Sequence, residues 1–346
     1  MGHGQKLKNS TFTAGVIGLG VGETHISGFE THPYCSVHKI CDLNKDVLNE
    51  VGKRYPKKKL TSNPDEIICD PNIDIVSIAS YDDCHKGQII RSLKNGKHIF
   101  VEKPLCLNSE ELLSVVEVMR ENPKLKLSSN LILRKTPRFI DLRNRIQSDE
   151  LGKVFHMESS YDYGRLHKLT DGWRGQIHNY SVTLGGGIHL IDLMSWVSGE
   201  KFTEVFAYGN KLATQDSSFS GNSLTSAIMK SNSGCTTILT SNFGSVAPHH
   251  HKLAIYGTNA TFEQSHLTAS YFTSRDPSIS PENVDSPYPG AQKGDLLYDF
   301  VDSLIEGKQP IIKAQEVIDA TSVAIAIDES IINQSPQPVN YLDLEN

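Results

Sequence analysis

Three closely spaced glycines near the start of the chain could bring the backbone against a phosphate group. The segment Gly18–Gly22 has glycine at its first, third and fifth positions, and it follows the apolar run Thr13–Ile17. Glycine permits the tight turn between a strand and a helix that points backbone N–H groups at a pyrophosphate. Taken alone, such a pattern is also compatible with an ordinary turn. The residues that we expect to contact a dinucleotide here are Gly18, Gly20, Val21 and Gly22.

An acidic residue follows this turn at the distance typical of a ribose contact. Asp42 lies 24 residues after Gly18, at the end of a second apolar segment, where its carboxylate can accept hydrogen bonds from ribose hydroxyls. The same negative charge would repel a 2′-phosphate, so we expect NAD, while the nearby Lys45 keeps NADP open as an alternative. The third glycine stands at position 22, and Glu23 occupies its usual place, which predicts a shorter or differently shaped turn.

A lysine after a short apolar segment is the first candidate for catalysis. Glu102-Lys103-Pro104 directly follows His98–Val101, which is strand-like. Ligands of parallel sheets bind at the carboxyl ends of the strands. A lysine there can lie beside a nicotinamide ring, orient a substrate oxygen and stabilise developing negative charge. An isolated Lys-Pro pair is more often a surface turn, so this interpretation depends on its context.

A histidine after three glycines is the second candidate. His189 follows Gly185-Gly186-Gly187, where the backbone can approach other groups closely, and it begins a predicted helix. Its unperturbed pKa of about 6.5 suits a group that takes and returns protons. Asp192 lies three residues later on the same helical face, so it could orient His189 or bind a hydroxyl. A core histidine bonded within the start of the helix is the alternative.

The elements that must position these residues change in character along the chain. Strands and amphipathic helices alternate up to about residue 126, and the run Ile73–Ala79 is typical of a central strand buried on both faces. This alternation predicts a doubly wound parallel α/β sheet over residues 10–126.

The second part of the chain has a different periodicity. Polar and apolar residues alternate at His156–Tyr163 and in several later segments, which predicts an α+β domain with a mainly antiparallel sheet over residues 127–290. Two helices and a tail over residues 291–346 are expected to pack back across both domains.

Composition excludes several other classes of protein. The 346 residues are 38% hydrophobic and 21% charged with a net charge of −6, which predicts a globular chain that binds no nucleic acid. No apolar run is long enough for a membrane span. Six cysteines without C-x-x-C spacing predict reduced thiols in a cytoplasmic protein. His249–His251 could suggest a metal, but successive strand residues alternate faces, so we expect no metal site there.

Several motifs together resemble one known family. Gly96-Lys97-His98 followed by Glu102-Lys103-Pro104, and Gly185-Gly186-Gly187 followed by His189 and Asp192, are similar to signatures of the glucose-fructose oxidoreductase/inositol 2-dehydrogenase/MocA (Gfo/Idh/MocA) family. The resemblance extends over nearly the whole chain. It implies an N-terminal Rossmann domain and a C-terminal α+β domain with a large open-faced sheet that mediates homodimers or homotetramers.

The resemblance also implies an activity, which is NAD(P)-dependent hydride transfer between a nicotinamide and a secondary hydroxyl or ketone of a sugar, cyclic polyol or nucleotide-linked sugar. It implies a cis peptide bond before Pro104. The site residues expected on this basis are Lys103, His189 and Asp192 for catalysis; Asp42, Ser80, His85, Glu102 and Lys103 for the cofactor, beside the glycine turn; and Asn130, Arg134, Tyr163, Trp173 and Asp192 for the substrate.

The chain departs from this family at one position that affects the mechanism. Relatives often carry an aspartate four residues before the histidine, where this chain has Gly185. Asp192, Asp171 or Tyr163 could supply the missing group. The departure keeps two alternatives open: a non-catalytic NAD(P)-binding sensor or regulator, and an enzyme that uses bound NAD without net turnover.

Overall fold

A computed structural model describes residues 11–178 and 180–345 of the chain. It divides into two compact units. Unit 1 contains the described residues up to Ile132, Gln292–Asp319 and the described residues from Leu342 on, and unit 2 contains Leu133–Ala291 and Ala320–Tyr341. The domain bounds expected from the sequence, 10–126, 127–290 and 291–346, stay predictions.

Unit 1 is built on a six-stranded sheet in which every neighbouring pair is parallel. Its order is β3-β2-β1-β4-β5-β6, the arrangement of a Rossmann fold. All four residues of the central β4 are buried, as its apolar sequence predicts. The strands are β1 (Phe12–Ile17), β2 (Cys35–Cys41), β3 (Lys59–Thr61), β4 (Ile75–Ile78), β5 (His98–Val101) and β6 (Leu127–Ser129).

The helices of unit 1 follow the strands and begin at residues with clear local signals. The Asn44 side chain accepts from Asp46 N and Val47 N at the start of α2, and Asn108 Oδ1 accepts from Glu111 N at 2.9 Å in α5. Such N-caps satisfy amides that have no partner within the helix. The helices are α1 (Gly22–Glu30), α2 (Lys45–Arg54), α3 (Asp65–Ile68), α4 (His85–Lys94) and α5 (Ser109–Glu121).

Unit 2 contains a nine-stranded sheet of order β14-β13-β12-β11-β7-β10-β9-β8-β15. All its pairs are antiparallel except β7 with β10. The strands are β7 (Val154–Asp162), β8 (Phe202–Asn210), β9 (Leu224–Ser231), β10 (Thr236–Asn242), β11 (His250–Gly257), β12 (Thr261–Gln264), β13 (Ala269–Phe272), β14 (Glu282–Asn283) and β15 (Gln337–Pro338). The predicted fold class is therefore confirmed for both parts of the chain.

The helices of unit 2 include the one that carries His189. This helix, α8 (Ile188–Ser198), continues a π-helical turn at Thr183–Gly187 and packs against β7. The other helices of the unit are α6 (Pro137–Gln147) and α7 (His167–Thr170), and the chain closes with α9 (Asp295–Glu306) and α10 (Ala314–Asn333). Within the described part of the chain, no helix has both the length and the apolar character to cross a membrane.

Candidate functional site

The glycine turn after β1 is shaped by one close backbone approach. Gly18 has φ +87°, and a Cβ there would lie 2.6 Å from the backbone nitrogen of Ser80, so only glycine fits. At Gly20, by contrast, a Cβ would meet no described atom within 4 Å. Helix α1 starts at Gly22, so the shortened glycine spacing is still followed by a helix N-terminus, the kind of end that favours a phosphate group.

Asp42 is bonded to this turn. Its Oδ2 accepts from Leu19 N at 2.8 Å, and its Oδ1 accepts from Asn44 N at 2.8 Å. The side chain stays half-buried, so its remaining lone pairs can accept from ribose hydroxyls. The turn and the acid behind it thus form one connected group of the type that fits NAD.

Glu102 is the centre of a buried polar network in unit 1. Its Oε1 accepts from Asn130 Nδ2 at 2.6 Å and lies 3.2 Å from His25 Nε2, while His25 Nδ1 lies 2.8 Å from Ser77 Oγ. Burial alone would raise the pKa of Glu102, but the hydrogen bonds from His25 and Asn130 and the charge of Lys103 lower it to about 2. Glu102 is therefore an ionised carboxylate whose bonds hold the end of β5.

Lys103 follows this network directly and is half-buried. Its peptide bond to Pro104 is cis, as the resemblance led us to expect. His85 is fully buried, with Nδ1 2.7 Å from Pro104 O and Nε2 3.2 Å from Ser80 O. These contacts favour a structural role for His85. The Ser80 hydroxyl donates to Gln88 Oε1 at 2.8 Å.

Three glycines before α8 allow other groups to press against the helix start. A Cβ at Gly185 would lie 2.6 Å from Tyr180 Cζ, and one at Gly186 would lie 2.7 Å from Tyr161 Cδ1. At Gly187 a Cβ would overlap the Ser241 hydroxyl. The glycines are therefore required by close packing on the turn that leads to His189.

His189 lies among aromatic rings and a second histidine. Its ring is stacked on Tyr161 with 6.1 Å between centroids, and His251 lies edge-on to it at 6.3 Å. Burial, followed by the nearby His249 and His189, holds the pKa of His251 well below its usual value. His251 Nδ1 is hydrogen-bonded to the Tyr288 hydroxyl. Because His251 is neutral, it adds no positive charge that would repel a proton taken up by His189.

Asp192 and Arg134 form a buried ion pair. Arg134 Nε donates to Asp192 Oδ2 at 2.9 Å, and its Nη2 donates to Oδ1. Their side chains are 3% and 2% exposed. Both carboxylate oxygens thus accept from one guanidinium, the bidentate geometry that fixes both partners most firmly.

The two predicted aromatic contacts of the substrate belong to unit 2. Tyr163 packs on Phe243 with 4.5 Å between centroids, and the guanidinium carbon of Arg165 lies 5.3 Å from its ring. Trp173 is half-buried, and Arg174 lies 4.4 Å over its ring. Asp171, an alternative for the missing acid, is exposed and accepts from Thr170 Oγ1 at 2.7 Å.

Of the three successive histidines, His249 directly precedes β11 and His250 and His251 are its first residues, so His250 and His251 point to opposite faces of the strand. His249 and His251 both lie edge-on to Tyr161, while His250 packs on His266 with 4.4 Å between centroids. Among the described residues, no group of three metal-ligating side chains converges.

Two residues near His189 were missed by sequence reasoning. His251 was considered only for metal binding, and Tyr180 was not considered. The glycine triplet was a signal that something approaches the helix closely, but it did not say which residue, because Tyr180 comes from an irregular segment and His251 from a distant strand.

Comparison with known proteins identifies the class that the fold and these motifs define. The family model for the GFO/IDH/MocA oxidoreductases with an NAD-binding Rossmann fold matches residues 12–130, and the model of the family's C-terminal domain matches residues 139–263. The chain therefore belongs to the GFO/IDH/MocA oxidoreductase family. The predictions of this family, its fold, an oxidoreductase class and an NAD cofactor are confirmed.

The individual relatives have low sequence identity to this chain. The chain is 26% identical to myo-inositol 2-dehydrogenase of Thermotoga maritima over 254 residues, or 70% of this chain and 72% of that protein. It is 28% identical to scyllo-inositol 2-dehydrogenase (NAD(+)) of Bacillus subtilis, with 57% of each chain covered.

Solved structures show the same fold along most of the chain. Myo-inositol 2-dehydrogenase of Lactobacillus plantarum superposes with a TM-score of 0.82 at 20% identity, covering 96% of this chain and 100% of that one. Levoglucosan dehydrogenase in complex with NADH and levoglucosan gives a TM-score of 0.82 at 18% identity, with the same coverage.

Proposed function

We propose that this protein is an NAD-dependent dehydrogenase that oxidises a secondary hydroxyl of a cyclic polyol or sugar to a ketone. Family membership supports hydride chemistry, and relatives named for inositols and levoglucosan support the substrate class. The observation that carries the proposal is the setting of His189. It combines a proton-accepting side chain with the neutral His251 and with a helix start shaped by glycine.

The proposed roles follow from chemistry. Bound NAD supplies the hydride acceptor. His189 takes the hydroxyl proton as the C–H bond breaks, which leaves a ketone and a protonated imidazole that returns the proton to solvent. Lys103 orients the reacting oxygen and stabilises the negative charge that develops on it. The turn Gly18–Gly22 and Asp42 bind the dinucleotide. The carboxylate charge of Asp42 makes the protein prefer NAD over NADP, because it repels a 2′-phosphate.

The remaining predicted site residues divide into two groups in this proposal. Tyr163 and Trp173 offer ring faces to the substrate. Asn130 acts through Glu102, to which its amide nitrogen donates, and Arg134 and Asp192 act through their ion pair, in which both carboxylate oxygens of Asp192 accept from Arg134.

We propose further that the protein is a homo-oligomer assembled through its nine-stranded sheet. Phe206, Tyr208, Ile228 and Ile238 lie on one face of β8, β9 and β10 by their register, and Tyr208 and Ile228 are 68% and 58% exposed. An apolar patch of this kind marks an interaction surface. Sedimentation of the wild type beside Ile228→Glu tests this, and a wild-type monomer would contradict it. Cytoplasmic location stays a prediction.

The activity is tested by adding NAD to the purified protein with myo-inositol, scyllo-inositol, levoglucosan or glucose and following the absorbance of reduced nicotinamide. We expect turnover on at least one. Lys103→Met and His189→Asn should each lower kcat by about 10²- to 10⁴-fold, and His189→Asn should leave NAD binding as in the wild type. Lys94→Met, which removes an exposed lysine at the end of α4, is the matched control and should retain full activity.

The other functions give different results in the same assay. A sensor would bind NAD, reduce none of it with any of the four compounds, and behave identically after Lys103→Met. An enzyme without net turnover would change its substrate while no reduced nicotinamide accumulates. Either result would overturn the proposed dehydrogenase.

A further inference from the structure

A tight turn after β7 fixes the backbone of Arg165 beside His249. Gly164 has φ +60°, a conformation that favours glycine. A Cβ at Gly164 would overlap the carbonyl oxygen of Ala247 and would lie 3.3 Å from the backbone nitrogen of His249. The two segments therefore touch, and the Arg165 side chain begins next to the residues that lead into β11.

The Arg165 guanidinium is exposed and carries an uncompensated positive charge. Its Cζ lies 5.3 Å from the centroid of the Tyr163 ring, a contact with a ring face that leaves the N–H groups unused. Across residues 11–178 and 180–345, no carboxylate pairs with Arg165 and no acceptor bonds to its guanidinium. The planar fork of five N–H donors fits the oxygens of a carboxylate or a phosphate, so Arg165 can bind such a group from solution.

Positive charge extends from Arg165 towards His189. The Tyr161 ring is stacked on His189 with 6.1 Å between centroids and on Tyr163 with 5.8 Å. Burial raises the pKa of Tyr161, whereas the positive charges of Arg174 and Arg165 lower it. Both guanidinium groups therefore act on the ring that is stacked against the proposed base.

The negative charge nearest to His189 in the sequence is compensated. Asp192 accepts two hydrogen bonds from Arg134, so this pair carries no net charge. Residues 164–178 contain three Arg or Lys residues and one acidic residue, Asp171. An excess of positive charge raises the local concentration of anionic ligands and speeds their binding. The surroundings of His189 therefore favour an anionic ligand over a neutral one of the same shape.

We propose that the substrate of this dehydrogenase carries an anionic group, a phosphate ester or a carboxylate, and that the Arg165 guanidinium binds this group. The proposal rests on the proposed function and refines it, because it names the class of sugar or polyol that is bound best. The anionic group takes no part in hydride transfer, so its bond to Arg165 has the same strength before and during the reaction. Such uniform binding lowers KM and leaves kcat nearly unchanged.

The test compares anionic compounds with their neutral parents. Glucose 6-phosphate and glucuronate are paired with glucose, and myo-inositol 1-phosphate is paired with myo-inositol. With NAD, the wild type should have a KM about 10- to 100-fold lower for the anionic member of at least one pair, the size of hydrogen bonds to a charged group. Added NaCl should reduce this preference, because salt screens exposed charges.

Variants of Arg165 assign the preference to this side chain. Arg165→Gln should lose most of it, and Arg165→Glu should raise the KM for the anionic compound further. Each preference is a ratio of two KM values of one variant, so a loss of folded protein does not change it.

Arg275→Gln is the matched control and should keep the full preference. Arg275 is another exposed arginine of unit 2. It follows β13, which by the strand register ends at the edge of the sheet where β7 begins, whereas Arg165 follows the end of β7.

The outcomes separate this proposal from the proposed function. If the wild type oxidises a neutral compound but no anionic compound has a lower KM than its parent, the anionic substrate is overturned while the dehydrogenase stands. A preference that persists in Arg165→Gln would overturn the role of Arg165. If NAD is reduced with none of the neutral or anionic compounds, the proposed function itself fails. A preference limited to the phosphate esters, or to glucuronate, supports the proposal and identifies the anion that is bound.

Discussion

Two buried clusters of this chain position the two proposed catalytic side chains by different means. The Glu102 network in unit 1 holds the residue before Lys103 with hydrogen bonds from His25 and Asn130 around one ionised carboxylate. The His189 cluster in unit 2 uses aromatic rings, a neutral histidine and glycines that let these groups approach. The first cluster depends on charge and the second on shape.

Because of this contrast, we expect the two clusters to be destabilised by different kinds of substitution. Removing a charge should disrupt the Glu102 network with little change in volume. Adding a single methyl group should disrupt the His189 cluster without any change in charge. Acid should also act on them at different pH values, because one contains a carboxylate with a lowered pKa and the other contains buried histidines.

The largest effect on stability is expected from Glu102→Gln. The pKa of Glu102 falls from 4.5 to about 2 on folding, so its charge stabilises the native state above pH 4.5, and this stabilisation is lost as the pH falls towards 2. At pH 7 the contribution is of the order of 3 kcal/mol. Urea unfolding at pH 7 and pH 3 should show that Glu102→Gln is destabilised most at pH 7. Equal losses at both pH values would contradict the charge-based account.

The next effect is expected from Gly186→Ala. Its Cβ would lie 2.7 Å from Tyr161 Cδ1 and 2.8 Å from Phe243 Cε2, and such overpacking costs about 1–3 kcal/mol. Gly87→Ala in α4 is the control, since its Cβ would meet only the flexible end of Arg91 at 3.3 Å. That change should stabilise the helix by about 0.5–1 kcal/mol. Thermal unfolding that shifts both variants in the same direction would argue against shape as the sensitive property of the His189 cluster.

The smallest effect is expected from His250→Gln and appears only in acid. Burial and the neighbouring His266 lower the pKa of His250 from 6.5 to about 4. A histidine that stays neutral in the folded state costs stability as the pH falls below 6.5, by up to about 2 kcal/mol at pH 5. The variant should therefore lose less stability than the wild type between pH 7 and pH 5. His167→Gln, which removes an exposed histidine on α7, is the control and should change the loss less than His250→Gln does.

More of the Glu102 network than of the His189 cluster could be predicted from the sequence, for a physical reason. The glycine turn, Asp42 and Glu102-Lys103-Pro104 each follow a strand of a parallel sheet, so local spacing places them at the same sheet edge. Asn130 follows β6 at that edge too, but its bond to Glu102 depends on side-chain geometry that spacing does not encode. The fold class could be predicted because periodicity reports which residues face a core.

Fewer of the contacts around His189 could be predicted from the sequence. Tyr161 lies on β7, His251 lies on β11 and Phe243 directly follows β10, so their meeting depends on the order β11-β7-β10 in the sheet. Tyr180 comes from a segment without regular periodicity. In the sequence, Gly185 stands where relatives often carry an aspartate. In the structure, the absence of a side chain at Gly185 leaves space for the Tyr180 ring.

The most direct test of the central claim follows the hydrogen atom itself. Myo-inositol carrying deuterium on its ring carbons is incubated with the wild-type protein and NAD, and the nicotinamide is analysed by mass spectrometry. The account predicts reduced nicotinamide with one deuterium, and a reduction rate that falls by about 10²- to 10⁴-fold in His189→Asn. Nicotinamide that stays oxidised, or that is reduced without deuterium, would contradict hydride transfer from this class of substrate.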